Sequence, residues 1–496
     1  MKYIKISIVI LSVSFISIFA YKLTTNNSNN KISLTKEQMK EMLSYTIDGN
    51  KTSSMPTKGS GYKVKSITCK NGSILSWDND NWLLEVEKLE SEDLCNIDFT
   101  TGTGSYTVTV VPSISGSLDS TSKTTTENGQ VTFYTDLAID SVSGCTNEIS
   151  DGKVIVKNVT SNTTCNINVS YMKLYDKLLA DKSTRPGART SFSSVLTTDN
   201  TKTLYTGTEN GTTVYYFAGN ATDNWVKFGK NASNQDLYWR IIRTNSDGSV
   251  RLLYHGTSTT ADNAYIGTSA FNTTYNNPMY VGYMYGTSGS LVNNRTNTNN
   301  STIKTTIDTW YTRNLEAKGY TKYLSTTAVY CNDRSNPAGG YNTGSTAFYY
   351  GGYTRLITNK ALTYDCTDTN DKFTVDTSTG NGKLKYPIAL MTADEVSFAG
   401  GVWGNNAPTW YYKNSANGSS TGNTWWWLLS PNYWVGGRAY VFYVNGSSNP
   451  VNLINYSVNT AGGVRPAVSL KSCTLYSTGN GSASDPYTIK ETTSGC

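Results

Sequence analysis

Short stretches of the first third of the chain alternate between apolar and polar side chains. Residues 62–67 (Tyr-Lys-Val-Lys-Ser-Ile), 106–111 (Tyr-Thr-Val-Thr-Val-Val) and 130–134 (Gln-Val-Thr-Phe-Tyr) read as strands with one wet face. Residues 82–86 (Trp-Leu-Leu-Glu-Val) and 153–156 (Lys-Val-Ile-Val) add strands of the same kind, and Ser, Gly and Asn separate the runs. The strands form two sets, residues 33–99 and 100–171, and each set ends on a related phrase (Cys95-Asn-Ile-Asp-Phe99 and Cys165-Asn-Ile-Asn-Val169). We read this as an internal repeat of two small β-sandwich-like modules. A module of about 70 residues has a thin core and needs a staple.

Helical spacing is rarer. Residues 34–45 predict a short helix, and 172–181 (Met-Lys-Leu-Tyr-Asp-Lys-Leu-Leu-Ala-Asp) predict another inside a helical linker, 172–187. In the remainder, Ile303, Ile307 and Trp310 follow Ser301 as a cap, which predicts a helix over 302–317 with one buried face. Thr392-Ala-Asp-Glu395 has the form of a capping box. Residues 238–243 (Tyr-Trp-Arg-Ile-Ile-Arg) and 249–254 (Ser-Val-Arg-Leu-Leu-Tyr) flank Asn-Ser-Asp-Gly, a hairpin signal. The predicted fold is mostly β: two modules, a large α+β head over 188–475 and a tail over 476–496.

The first 22 residues suggest export. Lys2 and Lys5 precede an uncharged apolar run from residue 6 to 21, closed by Lys22. This pattern predicts a signal peptide or a membrane-anchor helix, followed by a linker over 23–32. Cleavage after Ala20 is hindered by Ile18, and the run is short for a membrane span. The eight cysteines fit an exported chain. Sequential pairing (Cys69 with Cys95, Cys145 with Cys165, Cys331 with Cys366, Cys473 with Cys496) closes only short loops.

Composition narrows the function. Charged residues make up 16% and aromatic residues 12% of the 496, and the net charge of +6 comes without a basic block. Nucleic acid is therefore not an expected partner. A single histidine, His255, excludes multi-histidine metal sites. The chain is without Cys-x-x-Cys or a phosphate-binding loop.

Six phrases occur in order: Val214-Tyr-Tyr-Phe-Ala-Gly219, Tyr238-Trp-Arg-Ile-Ile-Arg243, Cys331-Asn-Asp-Arg334, Leu390-Met-Thr-Ala-Asp-Glu395, Trp425-Trp-Trp-Leu-Leu-Ser430 and Gly463-Val-Arg-Pro-Ala467. Together they resemble exported surface proteins of low-GC Gram-positive bacteria with a C-terminal C-type-lectin-like domain. The nearest variant is the formylglycine-generating-enzyme-like (sulfatase-modifying-factor-like) one, and the resemblance covers roughly residues 200–473. It implies a lectin-like head. The catalytic branches of that fold need a paired-cysteine copper site or a histidine-rich iron site, and this chain has neither inventory. The Glu-Pro-Asn and Gln-Pro-Asp tripeptides of calcium-dependent sugar binders are also missing. Residues 431–459 share the Asn, Tyr and Ser content of diversity-generating retroelement targets, but so does the chain as a whole.

The expected function is thus a non-enzymatic adhesion or binding protein at the cell surface or secreted, with no cofactor. Its ligand is a glycan or a surface protein, and the membrane is a partner only through an uncleaved N-terminal segment. Rigid tyrosines among adaptable Asn and Ser make a low-entropy contact surface. The candidate residues are Tyr433, Trp434, Tyr440, Tyr443, Asn445, Asn449, Asn452 and Asn455. Trp425, Trp426 and Trp427 offer a sugar platform, with at least one of them expected in the core. Structural calcium is the alternative role for Asp365, Asp368 and Asp371, or for Asp78 and Asp80. Other readings are a glycan- or wall-polymer-acting enzyme using Asp394 or Glu395, and a structural envelope component. Neighbouring helical residues point about 100° apart, so Asp394 and Glu395 cannot face one bond together.

Overall fold

In the computed structural model the described residues are 5–11, 18–24, 41–58, 60–78, 82–90, 92–101, 105–150, 152–260, 264–405, 425–445 and 452–496. The chain is mainly β and divides into two units, Met1–Ser170 and Tyr171–Cys496.

The first unit holds two apolar clusters, one for each predicted module. In the first, Trp82, Leu84, Ile97 and Phe99 are buried, with Trp77 edge-on to both Trp82 and Phe99. In the second, Val108, Phe133, Val154, Val156, Cys165 and Ile167 fill the centre. The likeness between the modules extends to their pairing. Cys95–Thr101 runs parallel to Leu43–Ile47, and Thr163–Ser170 runs parallel to Ser105–Pro112. In both, the strand bearing the second cysteine closes against the first strand of its own module.

Two N-terminal expectations change. Among the described residues a helical export segment is not seen. Lys5–Leu11 and Ile18–Thr24 pair antiparallel, and Lys5–Leu11 also pairs with Leu83–Lys88. Ile6, Ile8, Val9 and Ile10 are β-branched, which favours extended backbone. The helix expected over 34–45 lies outside the described residues up to residue 40. From Leu43 the chain is a strand, because Leu43, Tyr45 and Ile47 alternate onto the apolar cluster.

The second unit is built on two sheets around one core. The larger sheet runs in the order Tyr205–Glu209, Thr212–Tyr216, Asp236–Thr244, Val250–Gly256, Pro466–Leu470, Ile388–Leu390, with Trp225–Lys230 also pairing Asp236–Thr244. The predicted hairpin is its centre. The other sheet runs Thr268–Ala270, Ala461–Gly463, Trp426–Val435, Arg438–Val444, Leu453–Ser457, and Phe348–Tyr349 joins Trp426–Val435. Gly436 and Gly437 form its tightest turn, with φ of 58° and 72°. Two consecutive positive φ values suit the right-handed twist of a two-residue hairpin and are costly for residues bearing a Cβ.

Helix Thr302–Tyr311 starts at Ser301, whose side chain accepts from the Lys304 N–H, and buries Ile303 and Ile307. It continues to Glu316 as a wider turn. Residues outside the expected head are part of this unit. Leu174 and Leu178 of helix Leu174–Asp181 are in its core. The expected tail supplies Tyr487–Thr488, which pairs parallel with Trp225–Lys230, and Tyr487 is fully buried. An isolated short strand has no periodicity to mark it, which is why residues 476–496 read as a tail. Among the described residues no helix is long and apolar enough to cross a membrane.

All four sequential disulfides are formed: Cys69–Cys95, Cys145–Cys165, Cys331–Cys366 and Cys473–Cys496. Each constrains a loop of 20 to 35 residues in the unfolded chain, a contribution of about 3 kcal/mol apiece. Replacing Cys145 and Cys165 together by Ala is expected to lower module stability by about that amount. Urea unfolding followed by the fluorescence of the neighbouring tyrosines checks it, and an unchanged midpoint would contradict the assignment.

Candidate functional site

Two places in the second unit gather the candidate residues. The first is a narrow recess lined by Arg243, Arg251, Asp333, Arg355, Asp394 and Glu395 among others. Its geometry starts from the central hairpin, where Arg243 and Arg251 stand directly opposite each other. Like charges in that position repel unless an anion lies between them. Glu395 supplies it. Its Oε1 accepts from Arg243 Nε at 2.9 Å and from Arg251 Nη1 at 2.7 Å. Its Oε2 accepts from the Thr392 N–H at 2.9 Å, while Thr392 Oγ1 accepts from the Glu395 N–H, so the predicted capping box is complete. Glu209 holds the other side of Arg243 at 2.8 Å. Burial pushes the Glu395 carboxyl upward, but the charges of Arg251 and Arg243 and the Thr392 N–H outweigh it and hold the pKa at about 2.

Asp394 turns away from Glu395, as one helical step requires. It pairs with Arg355, which also binds Asp333. Both carboxylates considered for catalysis are therefore committed to guanidinium groups.

The calcium candidates do not converge. Asp365 accepts from the Asn210 N–H at 2.6 Å, Asp368 pairs with Arg295 at 2.7 Å, and Asp371 is fully buried against Arg334 at 2.6 Å and Arg295 at 3.1 Å. Asp80 lies outside the described residues. Among the described residues, Cys69, Asp93 and Cys95 form one group with ligand-like spacing. Its sulfurs share a disulfide, and Asp93 accepts from the N–H groups of Asn71 and Ser73.

The second place is the outer face of the smaller sheet. Tyr433 and Tyr440 are paired across the Gly436-Gly437 hairpin with ring centroids 4.6 Å apart. Strand Phe348–Tyr349 brings Tyr349 opposite Tyr433, at 6.2 Å between rings. Tyr353 lies 4.2 Å from Tyr349 and 6.1 Å from Tyr433, and Trp403 lies 6.4 Å from Tyr353. Tyr349 is 39% exposed, and Tyr353, Trp403, Tyr433 and Tyr440 are half-buried. Tyr433 Oη donates to Asn455 Oδ1 at 3.3 Å, and burial raises its pKa, so the phenol is neutral.

The eight residues expected at a binding surface are thus divided. Tyr433, Tyr440 and Asn455 share this face. The backbones of Asn445 and Asn452 pair at the mouth of the following loop, and Asn449 lies outside the described residues. Trp434 and Tyr443 leave the candidate surface. Trp434 is fully buried and donates to the Gly344 carbonyl, and Tyr443 is 6% exposed against Trp425 and Trp427. The reason is strand periodicity: Trp434 follows Tyr433 directly and Tyr443 lies three residues from Tyr440, so each points to the opposite side. Trp426 and Trp427 are core, and Trp425 stacks on the exposed Tyr456 at 5.4 Å. Tyr349, Tyr353 and Trp403 were missed. The phrase Tyr349-Tyr-Gly-Gly-Tyr353 was available as a signal, but nothing local ties it to residue 433.

Residues 355–472 match a domain family described only as a domain of unknown function (DUF6273). The match takes in less than half of the chain. No curated protein and no solved structure matches it.

Two outcomes test the buried groups. Glu395→Gln leaves two opposed arginines short of their anion, a loss of about 3–5 kcal/mol. Because the Glu395 pKa is depressed, its contribution is present above the ordinary carboxyl value and disappears as pH falls from about 4.3 toward 2. The variant should therefore show a shallower acid limb of stability over that window in pH-dependent thermal melts. His255 is fully buried with its ring edge-on to Trp225 at 4.2 Å, and neither ring nitrogen has a hydrogen-bond partner. Burial and then the Arg240 and Arg465 charges lower its pKa well below 6.5. The unfolded chain binds that proton first, so stability falls as pH drops below about 6.5. His255→Phe should remove this dependence between pH 6.5 and 5, where the Glu395 effect is still small.

Proposed function

We propose that this protein is an exported, non-enzymatic binding protein, secreted or held at the cell surface, whose second unit carries the ligand site. The two stapled β modules serve as a spacer. The single observation that carries the reading is the chain of tyrosine rings Tyr349, Tyr353, Tyr433 and Tyr440, in mutual contact and partly open to solvent. Rigid aromatic rings beside an amide give contact area at little entropic cost.

Other features support the reading. Four disulfides suit an oxidising compartment. Asp394 and Glu395 are held by arginines, which leaves neither free to act as acid or base. The lectin-like reading of the second unit rests on the ordered phrases. It is supported by the closing pair, since Trp426 and Gly463 are neighbours on parallel strands.

The test is binding of the full-length protein to arrays of glycans and of purified surface proteins. Retained binding in the presence of a calcium chelator is expected. The double variant Tyr433→Ala, Tyr440→Ala should lose it with an unchanged near-ultraviolet circular dichroism spectrum. Absence of binding to both arrays, or a double variant that binds normally, overturns the reading.

A further inference from the structure

The two modules of the first unit match strand for strand, with one exception. Asn50–Thr52, Leu43–Ile47, Cys95–Thr101 and Tyr62–Cys69 form one sheet in that order, and Ser122–Thr126, Ser105–Pro112, Thr163–Ser170 and Ala138–Ser143 form its counterpart. Each neighbouring pair has the same polarity in both sheets. Beyond them, the hairpin of Ile74–Asp78 with Leu83–Lys88 corresponds to that of Asn147–Ser150 with Lys153–Val159. The second module adds Gly129–Tyr134 on the other side of Lys153–Val159. The first module has no strand of its own for that place. The described residues of 53–61 contain no strand, and the Pro56 carbonyl among them accepts from Trp82 Nε1 at 3.2 Å. Lys5–Leu11 fills the position instead. Ile6, Ser7, Ile8 and Val9 stand opposite Val86, Glu85, Leu84 and Leu83. In the second module Val131, Thr132, Phe133 and Tyr134 stand opposite Val156, Ile155, Val154 and Lys153. Leu84 and Val86 are buried, as Val154 and Val156 are, so the two registers coincide residue for residue.

We propose that the outer edge of Leu83–Lys88 is a strand-acceptor site, closed by Lys5–Leu11 in the full chain and filled by an extended segment of a partner protein once residues 5–11 are withdrawn. The partner strand runs antiparallel to Leu83–Lys88 and carries apolar residues at alternate positions, opposite Leu84 and Val86. Ile-Ser-Ile at 6–8 and Val-Thr-Phe at 131–133 both have this pattern. A vacated edge beside a sandwich core presents backbone N–H and C=O groups together with apolar side chains, the chemistry that strand addition uses. Main-chain hydrogen bonds supply the affinity, and the alternating side chains supply the selectivity. Residues 5–11 also belong to the run expected to direct export. One segment cannot lie in a membrane, or be cleaved away, and still pair with residues 83–88. On the exported reading the site is therefore open in the mature protein. The proposal shares only that premise with the tyrosine face, and arrays that fail to bind the second unit leave it standing.

The experiment follows amide hydrogen exchange at residues 83–88 in the full chain and in its double variant Ile6→Asp, Ile8→Asp. The probe is a synthetic peptide of residues 128–136 (Asn-Gly-Gln-Val-Thr-Phe-Tyr-Thr-Asp), whose register in the second module is the one the slot requires. In the unaltered chain these amides are expected to be protected, and the peptide should change nothing because the slot is filled. In the double variant they should exchange about tenfold faster, and the peptide should restore their protection. A control peptide with Val131 and Thr132 exchanged, and Phe133 and Tyr134 exchanged, has the same composition with its alternation shifted and should not. Exchange that the two aspartates leave unchanged overturns the proposal. So does lost protection that the peptide does not restore, including loss that spreads to Cys95–Thr101, or equal rescue by the control. Concentration-dependent oligomers of the unaltered chain that vanish in the double variant would give the slot to a second copy and overturn the separate partner.

Discussion

A single carboxylate between two guanidinium groups organises the second unit. Arg243 and Arg251 face each other across the central hairpin, and their separation from water would be prohibitive without Glu395. The same carboxylate closes the N-terminus of helix Ala393–Phe398. Sheet and helix therefore share one ionic junction. Thr392 also follows directly on Met391, whose carbonyl accepts from the Leu429 N–H, which ties the junction to strand Trp426–Val435 of the other sheet. The strand that presents Tyr433 is anchored at its start to the helix that Glu395 caps.

Charge in this unit is distributed in an unusual direction. The interior holds Arg243, Arg251, Arg334, Glu209, Glu395 and Asp371, nearly all of them out of contact with solvent. The outer face of the smaller sheet holds phenols, the Asn455 amide and one exposed cation, Arg438. Buried ion pairs contribute little net stability compared with a well-packed apolar core, but they penalise any alternative pairing that separates them. Aromatic rings on the outer face contribute little to specifying the fold. They are free to be chosen for contact with something else.

Local patterns were legible from the sequence, and long-range juxtaposition was not. The four disulfides followed from spacing because each closes a short loop between cysteines consecutive in the sequence. The capping box at Thr392 and the hairpin at 245–248 were legible because their signals occupy four residues. The meeting of Tyr349 with Tyr433 was hidden, since it depends on a two-residue strand crossing to a partner 84 positions away. The burial of Trp434 and Tyr443 was accessible in principle, from the alternation of a strand about Tyr433 and Tyr440. Grouping residues by type rather than by parity hid it. The network around Glu395 joins segments from 209 to 395 and has no local signature at all.

The turn at Gly436 and Gly437 has a consequence for heredity of the surface. Hairpin register is set by turn length, and a slip of one residue exchanges the two faces of a strand. One inserted residue there would have to be absorbed as a bulge in a three-residue loop or would slip one strand against the other, setting their two faces out of step. Two residues with no side chains therefore hold the register that keeps Tyr433 and Tyr440 on one side and Trp434 in the core.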